Sequence, residues 1–253
     1  MKIATWNVNG IRARAAQLCE WVETERPDVL CLQELKATPE QIPDACRLTD
    51  YDVYWHGARA YSGVSLHVRK GAFATPPVFS HPDFDMETRI VAAACGDLVI
   101  ASVYVPNGGK DYAAKLDFLE RLVAWTRALH DEGRQLIVCG DINIARADID
   151  LHPKERKPGI IGQRPEERAL FDALLGENLI DVVRSRDPEN DRIFTWWAPW
   201  RNMRQRNIGW RIDYILASHA IAANVSESIV RTGVGTSDHA PVMMAFDPAL
   251  MRA

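Results

Sequence analysis

No apolar run in the 253 residues approaches the roughly 18 that a membrane-spanning helix needs, so no membrane partner is expected. The five cysteines (Cys19, Cys31, Cys46, Cys95 and Cys139) are odd in number and widely spaced, with no C-x-x-C pair. That spacing argues against a disulfide framework or a zinc site and points to a reducing cytosol. Low-complexity tracts, charge blocks and Gly/Ser linkers are lacking, so a single domain over 1–253 is expected, and with it a monomer. The first residues enter an apolar strand at once, leaving no room for a secretory leader, so a cytoplasmic location is expected. An excess of basic charge is missing too. The formal net charge is −4, which gives no wholesale attraction to nucleic acid.

The charge is unevenly spread, however. The stretch 192–212 holds five arginines (192, 201, 204, 206 and 211) with no acid and no lysine, and half of the eight tryptophans (196, 197, 200 and 210). Guanidinium forks clamp phosphates and indoles stack on bases, so the stripe as a whole reads as a nucleic-acid footprint. Trp196 and Trp197, taken singly, read as core residues of a hairpin, because neighbours on a strand face opposite ways.

Strand-like patterning covers 2–7, 29–34, 51–57, 62–70, 88–95, 98–105, 135–141, 193–197, 211–217, 225–231 and 240–246. Helical periodicity covers 12–24, 39–48, 111–132 and 165–176, with Asp111 placed to cap the third helix and Gly133 to stop it. Many strands and few helices predict an α/β protein with two sheets packed face to face and helices outside. A weak echo between Trp6-Asn7-Val8-Asn9-Gly10 and Gly140-Asp141-Ile142-Asn143-Ile144 suggests two similar halves.

Four of the apolar runs end on oxygen-bearing side chains: Asn7 and Asn9, Gln33 and Glu34, Asn107, and Asp141 with Asn143. Strand ends facing one way converge on a crevice, the usual ligand position in open α/β sheets. Acids and amides gathered there suit a hard divalent cation and a phosphate ester. Glu34 is the best-placed metal ligand, and Asn7 and Asn9 offer neutral carbonyl oxygens. Asp213 lies inside the apolar run 212–216, where an acid needs a cationic or donor partner. His239 can supply it, because Asp238 beside it points to the opposite face. Such a pair holds a charged imidazole over a phosphate or serves as a general base. Asp141 can position water or protonate the leaving oxygen, and Asn143 can hold either. Tyr104 and Asn107 flank Val105-Pro106 and can donate to phosphate oxygens, although Tyr104 alone reads as core. The residues thus describe a metal-dependent phosphodiesterase.

Six motifs, Trp6-Asn7-Val8-Asn9-Gly10, Leu32-Gln33-Glu34, Tyr104-Val105-Pro106-Asn107, Gly140-Asp141-Ile142-Asn143, Arg211-Ile212-Asp213-Tyr214 and Ser237-Asp238-His239-Ala240-Pro241, resemble in order those of the exonuclease III family of apurinic/apyrimidinic endonucleases. The resemblance implies a four-layer α/β sandwich, two packed mixed β-sheets flanked by helices. It implies Mg²⁺ dependence, with Mn²⁺ able to substitute. The activity it implies is cleavage 5′ to abasic sites in double-stranded DNA, with 3′-phosphodiesterase, 3′-phosphatase and 3′–5′ exonuclease action on blocked 3′ ends. By the same resemblance Glu34 is the main metal ligand, assisted by Asn9 and Asp238, while Asn7, Asp141 and Asn143 complete the oxygen set. Tyr104, Asp141, Asn143, Asp213 and His239 form the catalytic group. Asn7, Asn107, Lys110, Gly162, Trp196, Arg201, Trp210 and Ile212 contact DNA or phosphate. Some members carry Asp where Asn9 stands, so one main Mg²⁺ is expected.

The alternative is the family's 3′–5′ exonuclease/3′-phosphatase branch, with little abasic activity. Gly162 bears on this, since it falls where abasic endonucleases carry Gly and the other branch a bulkier residue. The loop 158–162 is about one residue longer than usual, so Gly159 could share the role and Ile160 or Ile161 could intrude. Phosphoinositide phosphatases, sphingomyelinase-like phospholipases, DNase I-type enzymes and a catalytically dead DNA-binding module on the same scaffold are the remaining rivals.

Overall fold

The computed structural model describes residues 1–58 and 60–247. In chain order it forms β1 (Lys2–Asn7), α1 (Ile11–Glu25), β2 (Val29–Gln33), β3 (Tyr51–Ala58), β4 (Tyr61–Arg69), β5 (Val78–Ser80), β6 (Ile90–Cys95), β7 (Leu98–Tyr104), α2 (Tyr112–Asp131), β8 (Gln135–Asp141), α3 (Pro165–Gly176), β9 (Leu179–Asp181), α4 (Val182–Arg186), β10 (Asp213–Ser218), α5 (His219–Ala222), β11 (Val225–Val230) and β12 (Val242–Phe246). Two six-stranded mixed sheets result, ordered β11-β12-β1-β2-β4-β3 and β5-β6-β7-β8-β10-β9. Among the described residues no helix is long and apolar enough to cross a membrane.

Strand alternation sorts the side chains between layers. Ile3, Cys31, Leu66, Ile100, Ile137, Ile215 and Met244 meet between the sheets. Ala4, Trp6, Leu30 and Leu32 point the other way, onto Leu18, Trp21 and Val22 of α1. Val138, Tyr214 and Leu216 do the same for the second sheet, against Phe118 and Leu122 of α2 and Phe171 and Leu174 of α3. The layers are therefore helix, sheet, sheet, helix, the four-layer sandwich. Asp111 caps α2 by accepting from the Ala114 N–H at 3.0 Å, and Gly133 ends it at φ 77°.

The two sheet orders correspond strand for strand. In each, a β-α-β unit (β1-α1-β2, β7-α2-β8) makes the one parallel pair, flanked by antiparallel strands. Chain order therefore matches β1 with β7 and β2 with β8. The expected echo paired β1 with β8, and that pairing is corrected: the end of β2, before Glu34, corresponds to the end of β8 at Asp141.

Two other expectations fail for local reasons. The stretch 39–48 is two 3-10 turns, Pro39–Gln41 and Asp44–Cys46, because Pro43 between them cannot continue a helix. The stretch 193–197 is not a strand, since Trp196 makes only isolated bridges to Trp210 and His239. The edge strands β5 and β9 span three residues each, too short for alternation to reveal them. The arginine stripe also divides. Arg211 is buried, bonded to Asp150 at 2.7 Å and to Asp181 at 2.7 and 3.1 Å. Arg204 donates to the carbonyls of Thr232, Val234 and Ser237. Arg192, Arg201 and Arg206 remain exposed.

Candidate active site

Strand register assembles the site. Asp213 opens β10 directly opposite Asp141 at the end of β8, and Tyr104 at the end of β7 is level with Asp141. Asn7 at the end of β1 is level with Gln33 in the other sheet. Asn7 Nδ2 donates to Asp141 Oδ2 at 2.9 Å and ties the two sheets together at the crevice. Just beyond the strands the chain turns sharply through left-handed residues: Asn9 (φ 46°), Glu34 (φ 57°) and Asn143 (φ 56°). For Glu this conformation is uncommon, and such strain collects at functional sites.

A cavity of about 420 Å³ opens here, lined by Asn9, Glu34, Lys36, Tyr104, Asn107, Gly109, Asp141, Asn143, Ile161, Trp196, Trp210, Ile212, Asp238 and His239. Most of the residues singled out from the sequence meet in it. Asn7 is fully buried beneath it, with its amide spent on Asp141 and on the Asn9 N–H. Lys110 is exposed nearby without lining it, and Arg201 lies in the adjoining groove with Trp200.

His239 Nδ1 is 2.9 Å from Asp213 Oδ2, and its Nε2 faces Asp141 Oδ2 at 3.9 Å. Burial alone would discharge this ring, but Asp213, Asp141 and Asp238 outweigh it and push its pKa up to about 10. The imidazole is thus a cation at neutral pH. Asp141, Asp213 and His239 also lie close enough together to hold a metal ion. Burial, together with the charges of Asp213 and Glu34, pushes Asp141 up to about 7 against the pull of His239 and Asn7. Asp141 therefore titrates where proton transfer is useful.

On the other wall, Lys36 Nζ sits 2.9 Å from Glu34 Oε1 and 2.6 Å from Asn9 Oδ1. Asn9 Nδ2 in turn donates to Asp238 Oδ1 (2.7 Å), whose Oδ2 accepts from Trp196 Nε1 (3.0 Å). Burial works against the charge on Asp238, but His239, Asn9 and Trp196 keep its pKa low. An ammonium drawn between Glu34 and Asn9 marks an all-oxygen position that attracts a cation, so the residues fit a hard divalent ion. Asp238, with both oxygens bonded to neighbours, supports that position through Asn9.

A model of the endonuclease/exonuclease/phosphatase family matches residues 4–239. The chain belongs to this family. The DNA repair nuclease APEX1 of Danio rerio is 33% identical over 254 residues, covering 96% of this chain and 81% of that protein. An AP endonuclease from Archaeoglobus fulgidus shares the fold with a TM-score of 0.86 and 29% identity, over 98% of this chain and 99% of that one. A 3′ phosphatase from Neisseria, NExo, bound to a product DNA hairpin, gives 0.87 and 32% over 98% and 99%. Within the endonuclease/exonuclease/phosphatase family the chain is a nuclease of the exonuclease III type.

For a family nuclease, the loops around the strand ends must be held still, and here residues that carried no sequence signal do so. Lys115 of α2 is completely buried, paired with Glu167 of α3 at 2.7 Å and donating to the Asn143 carbonyl at 2.9 Å. Glu167 Oε2 accepts from the N–H groups of Gly162 (2.6 Å) and Arg164 (3.1 Å). One ion pair therefore anchors the Asn143 loop and the 159–164 loop together. Burial lowers the Lys115 pKa against the pull of Glu167 and Asp141. Glu167→Gln is expected to cost about 3–5 kcal/mol of stability by leaving that charge unpaired, and Lys115→Met with Glu167→Gln to cost less than the single change. Urea unfolding checks this, and a loss below about 1 kcal/mol for Glu167→Gln would show that the pair is not structural. Thr195 was missed as well. Its Oγ1 accepts from the N–H groups of Ile212 and Asp213 at 3.0 Å each, fixing where β10 presents its acid.

Gly162 sits against Trp210 and the Asn143 loop. It is buried at φ 89°, and a Cβ there would lie 2.9 Å from Trp210 Cζ3 and 3.2 Å from the Asn143 carbonyl. It lies behind the Trp210 ring, and Ile161 is the loop residue that enters the cavity. Tyr104 packs under the Arg89 guanidinium, which lies 4.7 Å from its ring centre.

Proposed function

We propose that this nuclease cleaves the phosphodiester 5′ to abasic sites in double-stranded DNA, dependent on Mg²⁺, and also clears blocked 3′ ends. The observation that carries this reading is that one cavity joins acids and amides with apolar side chains: Glu34, Asp141, Asp238, Asn9 and Asn143 line it together with Trp196, Trp210, Ile212 and Ile161. A sugar without its base fits against the apolar side chains, where an intact nucleotide would overfill the space. The solved relatives are named for AP endonuclease and 3′ phosphatase activities, both hydrolyses of a phosphate ester on DNA.

Glu34, with Asn9 beside it and Asp238 behind, would hold Mg²⁺. Bound there, the ion neutralises the phosphate oxygens and stabilises charge on the leaving oxygen. The His239 cation, fixed by Asp213, binds a non-bridging oxygen. Asn7 and the Asn143 N–H, at 2.9 Å each, orient the Asp141 carboxyl. Asp141 takes a proton from the attacking water or delivers one to the departing 3′ oxygen. The P–O3′ bond breaks as the water oxygen bonds to phosphorus, giving a 3′-hydroxyl and a 5′-phosphate on the abasic sugar. Asn143 and Asn107 hold the phosphate from the side of the second sheet.

Ile161 in the cavity favours a second reading, in which the pocket is narrowed and the chain works chiefly on 3′ ends. Trp210→Ala separates the two by comparing abasic and intact duplex. Loss of discrimination is expected to exceed loss of binding, and Gly162→His is expected to act through the same displaced indole. Equal losses on both duplexes would reduce Trp210 to a packing residue.

A further inference from the structure

A second group of ligating side chains lies away from the cavity, where the edges of the two sheets approach each other. His56 is on β3, the edge strand of the first sheet, and His81 directly follows β5, the edge strand of the second. Asp85 lies in the loop between β5 and β6. Each offers a ligand atom within 4.8 Å of the others. None of the three lines the catalytic cavity.

The structure assigns to His56, His81 and Asp85 a binding site for a borderline transition-metal ion of the Zn²⁺ type. Two imidazoles and one carboxylate make a donor set that suits Zn²⁺, Ni²⁺ or Cu²⁺ and is a poor match for Mg²⁺, which prefers oxygen. Three protein ligands with water in a fourth position make an ordinary Zn²⁺ geometry.

Two of the three ligands are already held together. Asp85 Oδ1 is taken up by the N–H groups of Arg89 (2.8 Å) and Ile90 (3.0 Å), which leaves Oδ2 directed at His56 Nε2 at 2.6 Å. The ion would replace the hydrogen those two atoms share, with the ring proton moving to Nδ1 or to solvent. The His81 ring lies parallel to His56 at 4.7 Å between centres and 11° between planes. Ligand atoms about 2.1 Å from one tetrahedral ion stand about 3.4 Å apart, so His56 and Asp85 would part slightly and the His81 ring would turn out of its stack on His56 to aim a nitrogen at the ion. His81 is exposed and free to turn, while His56 and Asp85 are mostly covered. Tyr54 packs against the His56 ring and against Phe79, giving the site an apolar backing. Because the ligands come from both sheets, an ion here fastens one edge of the sandwich.

Calorimetric titration of Zn²⁺ into the full chain, with Mg²⁺ in excess, tests the assignment alongside the d–d absorption of bound Co²⁺. Wild-type protein and Glu34→Gln are each expected to bind one equivalent that His81→Ala loses or binds at least tenfold more weakly. His81→Ala is also expected to remove the Co²⁺ band while Mg²⁺-dependent cleavage stays unchanged. His56→Gln should behave alike, and if it fails to fold, the exposed His81 keeps the comparison intact. Equal Zn²⁺ stoichiometry and affinity in wild type and His81→Ala, or an unaltered Co²⁺ band, would overturn the site.

Discussion

Replacing His239 by Asn is expected to lower turnover about a thousandfold or more, with little effect on folding. The ring faces both Asp141 and Asp213, and its charge depends on those carboxylates. Asn keeps a hydrogen bond to Asp213 and loses the charge, and it cannot exchange a proton. Asp213→Asn is expected to cost a smaller but large factor, since Asp213 reaches the substrate only through the imidazole. The two effects should be strongly non-additive, because removing the ring leaves Asp213 nothing to orient. Single-turnover rates of both single variants and the double check this. A double variant as slow as the product of the two singles would dismiss the His239–Asp213 unit.

Glu34→Gln is expected to lower Mg²⁺ affinity by about a hundredfold or more and to abolish metal-dependent cleavage. The change preserves shape in a left-handed position at the end of β2, where an amide can still face Lys36. It removes the one anionic oxygen on that wall that is bonded to no group except the Lys36 ammonium. Asp238 cannot compensate, because Asn9 and Trp196 occupy its oxygens. Binding to DNA should persist, since Trp196, Trp210 and the exposed arginines are untouched. Titration calorimetry reads the result directly: unchanged Mg²⁺ affinity would remove Glu34 from the metal site.

Strand alternation explains why so much of this site was visible in the chain. An acid buried inside an apolar strand needs a partner, and this alone leads from Asp213 to His239. The same alternation puts Trp210 and Ile212 on the cavity side and turns Arg211 the other way, into Asp150 and Asp181. The arginine stripe divides because composition over a segment does not say which face each residue takes: Arg204 and Arg211 bond inward, while Arg192, Arg201 and Arg206 stay exposed. Lys36 and Lys115 were passed over for a different reason. A lysine two residues after an acid, or on a helix of ordinary polarity, looks like solvated surface. Only the meeting of distant segments shows Lys36 between Glu34 and Asn9 and Lys115 beneath two loops. Gly162 carried a real conformational signal, but its direction depended on where Trp210 settled.

A duplex with one internal abasic analogue, incubated with the enzyme and Mg²⁺, puts the proposed substrate to the most direct trial. Incision immediately 5′ to the lesion, leaving a 3′-hydroxyl and vanishing when Mg²⁺ is chelated, is the expected result. Trimming of 3′ ends with the internal lesion left uncut would contradict it and place the chain among the 3′-end-processing members of its family.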